Sequence, residues 1–284
     1  MAGNAREVAL LTLSACDRQG AWSDLSLKKN IRAAGLDSRD AALATRLCFG
    51  VLQNRLLLDF YIGKFSTVRP ERMENKVLNA LRLGAYQMAF LTRVPVSAAV
   101  NESVDLVKRH SKNPRSPGLV NGILRSMARN IDRLPTIPEE DPVSYLSVRY
   151  SHPEWLVKTF LEALGSVEAE RLLALDNGEP PTVAQVNRLR GNTEEVRASL
   201  REEGAQAELH PWLPDCLTLT GGGDLENLTA FREGRIYIQD AGARLAVLAA
   251  EPKPGMAVLD ACAAPGGKSF AAAIAMGDEG KLVS

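Results

Sequence analysis

The sequence predicts an α plus α/β protein in three parts: an all-α bundle, a mixed α/β segment and the opening of an α/β domain. Three observations carry this. Residues 3 to about 133 place apolar side chains at helical spacing throughout. Leu134-Pro-Thr-Ile-Pro138 with Glu139, Glu140, Asp141 and Pro142 is a proline-rich acidic linker, and the text beyond it mixes both periods. Near the end, Val258-Leu-Asp-Ala-Cys-Ala-Ala-Pro-Gly-Gly-Lys-Ser269 reads as a buried strand that turns through small residues into a helix.

The helical part is built from four stripes. Leu43, Leu47, Val51 and Leu58 keep helical spacing, as do Val77, Leu81, Ala85 and Met88. Val96, Val100, Val104 and Val107 repeat the pattern, followed by Val120, Ile123, Leu124 and Met127. Ser38 reads as a start signal, and Ser116-Pro117 places a cap ahead of a proline at the first helical position. Stripes on neighbouring helices must bury one another, which predicts a compact bundle.

The 284 residues carry no net charge, yet the charge is unevenly spread. Residues 1–140 hold 21 Lys+Arg against 13 Asp+Glu, a balance of +8, and residues 141–284 hold the reverse. A basic half on a neutral chain points to a polyanion partner for that half. Lys108, Arg109, Lys112 and Arg115 flank a loop containing Pro114 and Pro117. Arg125, Arg129 and Arg133 recur every four residues and are expected on one helix face, as a track for phosphates. A solvated helical face is the competing reading of both groups.

No apolar run approaches ~20 residues, so no membrane span is expected. Residues 1–6 lack the apolar core of a signal peptide. Cys16, Cys48, Cys216 and Cys262 are scattered, with no C-x-x-C pair and three histidines. Neither a disulfide framework nor a metal site is predicted, and a reducing cytoplasm is the default location.

After the linker, Leu156, Phe160, Leu161 and Leu164 share a helical face, and Pro180-Pro181 ends that unit. Thr182 to Leu189 alternates as a strand, and Thr193-Glu-Glu opens a short helix reaching Glu203. Short strands are expected around His210 and over Leu217 to Leu219, the latter stopped by Gly221-Gly222-Gly223. His152 and His210 sit beside prolines and read as structural. Arg235 to Asp240 is a strand whose polar end opens a helix from Ala241 to Ala250, and Lys253-Pro254-Gly255 turns into the strand ending at Asp260. Lys281 to Ser284 begins another strand.

The strand–glycine–helix turn puts unpaired N–H groups at a helix N-terminus, a site for a phosphate or a carboxylate. Gly267-Lys268-Ser269 supply the end of a P-loop, but its first glycine falls at Cys262. A dinucleotide G-x-G-x-x-G also fails, because only the adjacent Gly266 and Gly267 are present. The third reading is a methyl-donor loop that holds the carboxylate of S-adenosylmethionine.

The run Asp260-Ala-Cys262-Ala263-Ala264-Pro265-Gly266-Gly267-Lys268 resembles the first motif of the RNA cytosine-C5 methyltransferases, preceded as in that family by Gln239-Asp240 and a helix. The N-terminal segment resembles the NusB family of RNA-binding domains. Arg39-Asp40-x-Ala42-Leu43-Ala44 with Gly50-Val51-Leu52, Arg82-Leu83-Gly84-Ala85-Tyr86-Gln87, Pro95-Val96-x-x-Ala99-Val100-Asn101-Glu102 and Val120-Asn121-Gly122-Ile123-Leu124-Arg125 carry that likeness. Together they resemble the Fmu/Sun-type methyltransferases of 16S ribosomal RNA over the whole chain. The resemblance implies a NusB-like RNA-binding bundle over 1–138, a mixed α/β linker domain over 139–234, and the first part of a Rossmann-like class I methyltransferase domain over 235–284. It implies S-adenosylmethionine as cofactor, Asp260 and Cys262 to Lys268 as its binding residues, 16S ribosomal RNA as partner, no metal, and a monomer when complete.

In that family one cysteine thiolate adds to C6 of cytosine, a second assists release, and an acidic residue after the second strand binds the cofactor ribose. None of the four cysteines stands in a matching Pro-Cys or Thr-Cys motif, and Cys262 lies in the cofactor loop, where a flipped base has no room. The expectation is an incomplete catalytic domain, with no catalytic residue among these 284 and no methyl transfer by this chain alone. The alternatives are a non-catalytic NusB-like RNA-binding or transcription-regulatory protein, and an ATP-binding protein using Gly267-Lys268-Ser269.

Overall fold

Helix α5 (Asn75–Phe90) is the axis of the N-terminal bundle, with every residue from Val77 to Met88 buried. The computed structural model describes residues 4–178, 180–223 and 225–284; Met1, Ala2, Gly3, Glu179 and Asp224 lie outside the described residues. Around α5 pack α1 (Ala5–Gln19), α3 (Ser38–Gln53), α4 (Arg55–Phe65), α6 (Val96–His110) and α7 (Ser116–Arg129), with α2 (Ser23–Ala34) against α1 and α3. The expected stripe of Val77, Leu81, Ala85 and Met88 is therefore only one side of a helix enclosed all round.

Enclosure forces the polar residues of α5 to find partners. Arg82 is 4% exposed and holds Asp59 through two bonds of 2.7 Å, with Asp17 at 3.3 Å and the Asn79 side chain at 2.9 Å. A buried guanidinium persists only when paired in this way. Two glycines permit the close packing: a Cβ on Gly84 would lie 2.6 Å from the Leu124 side chain, and one on Gly50 would overlap the Tyr86 ring.

Helix starts shift by a residue from the sequence reading. Asp37, not Ser38, caps α3, its side chain accepting the Asp40 N–H at 2.7 Å. Ser116 is already helical, and the Asn113 side chain accepts the Arg115 N–H at the entry to α7.

Two further helices, α8 (Pro142–Tyr150) and α9 (Glu154–Asp176, broken at Gly165 with φ +76°), join this first unit, which is Met1–Gly178. The chain stays within this unit through the proline-rich stretch, past the division expected at 138/139. Helix α8 packs on α4, the Ser151 hydroxyl accepts the Leu57 N–H at 3.3 Å, and the Gln53 side chain donates to Asn177 O at 2.7 Å. These contacts return the chain to the bundle after the prolines.

The second unit, Glu179–Ser284, holds two sheets. The first is antiparallel in the order β2-β3-β1-β4, from β1 (Thr182–Val186), β2 (Ala205–Leu209), β3 (Cys216–Gly221) and β4 (Ile236–Ile238). Helix α10 (Thr193–Glu202), capped by Asn192, and the short α11 (Thr229–Arg232) bury Val196, Leu200 and Ala230 against Ala184, Val186, Leu217 and Ile236. Val183 and Cys216 meet Leu213 and Ala241 in a separate cluster, so β1 is buried from Val183 to Val186 rather than alternating. Strand β4 pairs with β1, so the division expected at 234/235 falls inside the hydrogen-bonded sheet.

Beyond β4, α12 (Ala241–Ala250) leads to β5 (Ala257–Leu259), α13 (Gly267–Ala275) and β6 (Lys281–Val283). Strands β5 and β6 pair in parallel, with α13 as the crossover that such pairing needs. Ala271, Ala272 and Val247 form their small core with Tyr237 and Leu282. Leu259 is 72% exposed, so the strand read as buried has an open face, and among the described residues it pairs with β6 alone.

Candidate functional site

At the end of β5 the Asp260 carboxylate is held through both oxygens. Oδ1 accepts the Cys262 N–H at 3.2 Å, and Oδ2 accepts the Ser269 hydroxyl at 2.7 Å. Ser269 is buried, and its oxygen also lies 2.9 Å from the Ser284 hydroxyl. Strand end and first helical turn are thereby clamped, and Ala261 to Gly266 arch between them, with Ala264-Pro265 cis.

Gly266 takes φ +112° at the start of α13, a conformation open to glycine, and a Cβ there would press on the Phe270 ring at 3.3 Å. A Cβ on Gly267 would stand 3.1 Å from the Gln239 side-chain nitrogen. No side chain caps α13, so its first N–H groups are open to a ligand. Gln239 is 7% exposed, its side-chain nitrogen faces Gly267, and its buried Oε1 has no hydrogen-bond partner among the described residues. A helix N-terminus with open N–H groups suits a ligand that carries a carboxylate.

The same geometry disfavours a phosphate. A P-loop turns its amides to phosphate and its final hydroxyl to magnesium. Here the Ser269 hydroxyl and the Cys262 amide are both taken by the Asp260 carboxylate, so neither is free for those roles. Cys262, Ala264, Pro265 and Lys268 are exposed, while Ala263, Gly266 and Gly267 are half-buried.

Three cysteines are poor nucleophiles by position. Burial pushes the Cys48 thiol up to about 12 and raises those of Cys16 and Cys216. Cys262 is exposed. His152 Nδ1 meets Tyr150 O at 2.7 Å, and His210 packs edge-on to Trp212. No group of three or more metal-ligating side chains occurs among the described residues. No helix among them is long and apolar enough to cross a membrane.

The basic residues separate into distinct settings. Lys108 pairs with Asp105 at 2.9 Å and Arg109 with Glu7 at 2.8 Å, so two of the four loop-flanking cations are bound to carboxylates of their own bundle. Lys112 and Arg115 are exposed on the loop between α6 and α7. Arg125 and Arg129 lie one turn apart on α7 and are exposed. Arg133 leaves that face: Asn130 ends α7, its side chain bonding Ser126 O, and Arg133 sits in the 3-10 turn Ile131–Arg133.

Two groups at the loop escaped the sequence reading as site residues, Gln239 and Ser269. Gln239 had a signal in its place just before the Asp240 helix cap, but its nearness to Gly267 is a tertiary contact. Ser269 was legible as a helix-opening serine, with nothing to show that its partner is Asp260.

Residues 3–129 match the NusB family, and residues 152–226 match the Methyltr_RsmF/B-like, ferredoxin-like domain. Over 281 residues the chain is 35% identical to the probable ribosomal RNA small subunit methyltransferase B of Bacillus subtilis, covering 98% of this chain and 62% of that protein. The chain resembles the Fmu/Sun family over nearly its whole length. The Synechocystis protein of the same name is 32% identical over 280 residues, with the same 98% and 62% coverage. The chain thus spans 62% of the length of these curated relatives. The crystal structure of PH0851 superposes with a TM-score of 0.70 at 22% identity, over 99% of this chain and 63% of that one, and so shares the fold. The first unit therefore opens with a NusB-like all-α bundle, and the mixed sheet falls partly within the ferredoxin-like match.

Proposed function

We propose that these residues are the RNA-binding and cofactor-loop portion of an enzyme that methylates cytosine C5 in 16S ribosomal RNA, with S-adenosylmethionine as donor. The observation that carries this is the clamp of Asp260 on Cys262 and Ser269, which holds the α13 N-terminus open beside Gly266 and Gly267. In this reading the α13 amides would hold the methionine carboxylate, and the two glycines let the backbone approach it. When bound, S-adenosylmethionine supplies an electrophilic methyl group. Asp260 acts indirectly, by ordering the loop.

Cytosine C5 becomes nucleophilic only after a thiolate adds to C6. Cys16, Cys48 and Cys216 are held as thiols by burial, and Cys262 belongs to the loop that cradles the donor. The chemistry at the base is therefore assigned to no residue among these 284. The N-terminal bundle binds the RNA through its exposed basic residues, Arg125 and Arg129 foremost. Parallel calorimetric titrations with S-adenosylmethionine and with ATP test the proposal. Binding of the first and not the second is expected; the opposite preference would return the loop to a nucleotide phosphate.

A further inference from the structure

Helices α6 and α7 do not close completely on each other. Between them runs a groove of about 600 Å³, with Val96, Val100 and Ala128 among its walls and Asn101, Arg125 and Arg129 along it. That volume falls within the range of about 300–1,000 Å³ common to small-molecule sites. No carboxylate lines it. Arg125 bonds Asn121 through Nε alone, whereas the side chains of Asn101 and Arg129 make no hydrogen bond or ion pair among the described residues. An apolar trough edged by two cations and a free amide is an unusual surface to leave to water.

We propose that this groove holds one unstacked nucleotide of single-stranded RNA. The inference rests on the reading of the chain as an RNA-handling protein and adds where and how a base is taken. Two guanidiniums a helical turn apart, about 5.4 Å, can meet neighbouring phosphates along one strand. An unpaired guanidinium plane can also stack on an exposed base. The apolar walls accept the face of the base, and the Asn101 amide offers a donor and an acceptor to its edge. A duplex keeps its bases stacked and gains nothing from the trough. An acidic peptide would satisfy the arginines but leave the walls and the amide unused.

The test uses the 284-residue chain with a labelled single-stranded RNA hexamer, a duplex of the same sequence, and polyglutamate. Ser97, exposed on the rim, is replaced by Trp to fill the trough while both arginines remain. Ser97→Trp is expected to weaken hexamer binding at least tenfold, leaving unchanged the slope of log affinity against log salt. Arg125→Ala and Arg129→Ala are each expected to flatten that slope by about 0.7. Methyl NMR of the unaltered chain provides a second reading, with the Val96 and Val100 signals shifting on addition of the hexamer. Unshifted methyls overturn the site, as does a Ser97→Trp variant that binds normally while the arginine variants weaken. Polyglutamate displacing the hexamer at equal charge would assign the groove to an acidic protein segment. Calorimetry with S-adenosylmethionine on the same variants keeps the outcomes apart, since cofactor affinity is expected to be unaffected whichever way the groove behaves.

Discussion

Asp260 and Ser269 stand nine residues apart, on opposite sides of the glycine turn, and are joined by a 2.7 Å hydrogen bond. This bond fixes the strand end against the first turn of α13. Replacing Ser269 by Ala is expected to weaken S-adenosylmethionine binding by about 1 kcal/mol, and Asp260→Ala by about 1–3 kcal/mol, because the latter also frees the Cys262 amide. The double variant is expected to lose less than the sum, since the two side chains share one bond. Additive losses by calorimetry would mean that the clamp is not a unit.

Gly267→Val introduces a branched side chain where even a Cβ lies 3.1 Å from the Gln239 amide. Loss of S-adenosylmethionine binding with RNA affinity kept is the expected result. Unchanged cofactor affinity would remove the loop from the donor site.

Arg82 is the cation shared by Asp59 and Asp17 at the centre of the bundle. Arg82→Leu strands Asp59 near the core and is expected to cost about 3–5 kcal/mol in urea unfolding. A cost under about 1 kcal/mol would indicate that water replaces the guanidinium.

Thiol labelling of the native chain is expected to modify Cys262 first, with Cys48 and Cys216 protected until unfolding. The Cys48 thiol, raised from 9.0 to about 12, stays protonated in the fold while the unfolded chain ionises. Its contribution is intact below the ordinary thiol value and is lost as pH rises through the folded one. Stability is therefore expected to fall between pH 9 and 12, by up to about 1.4 kcal/mol per unit more than in Cys48→Ala. Equal slopes for the two proteins would contradict the burial argument.

A purified polypeptide of these 284 residues is expected to transfer no methyl group to ribosomal RNA. Incorporation of labelled methyl that vanished in Cys262→Ser would make that exposed cysteine the nucleophile.

Much of this was legible locally. The Asp240 cap followed by a helix over Ala241–Ala250, the turn at Lys253-Pro254-Gly255 and the strand–loop–helix around Asp260 stand where the residues place them, because caps and glycine turns act over a few positions. The NusB-like bundle was readable from its stripes and motif order for the same reason. What the tertiary structure decided depends on partners far away in the chain. Helix α5 has one visible stripe but is enclosed by five helices, so Arg82 becomes an internal ion-pair centre. Strand β4 reads as an approach to the cofactor loop, yet hydrogen-bonds to β1 some fifty residues earlier. Helices α8 and α9 read as a new domain after the prolines, yet α8 packs on α4 and the Gln53 side chain at the end of α3 bonds Asn177 O just past α9. Arg133 keeps the spacing of Arg125 and Arg129, but Asn130 ends the helix before that spacing can place it on their face. Periodicity in a sequence reports which face a helix buries while the helix lasts, whereas burial from other sides and strand pairing are set by segments that meet only when the chain has folded.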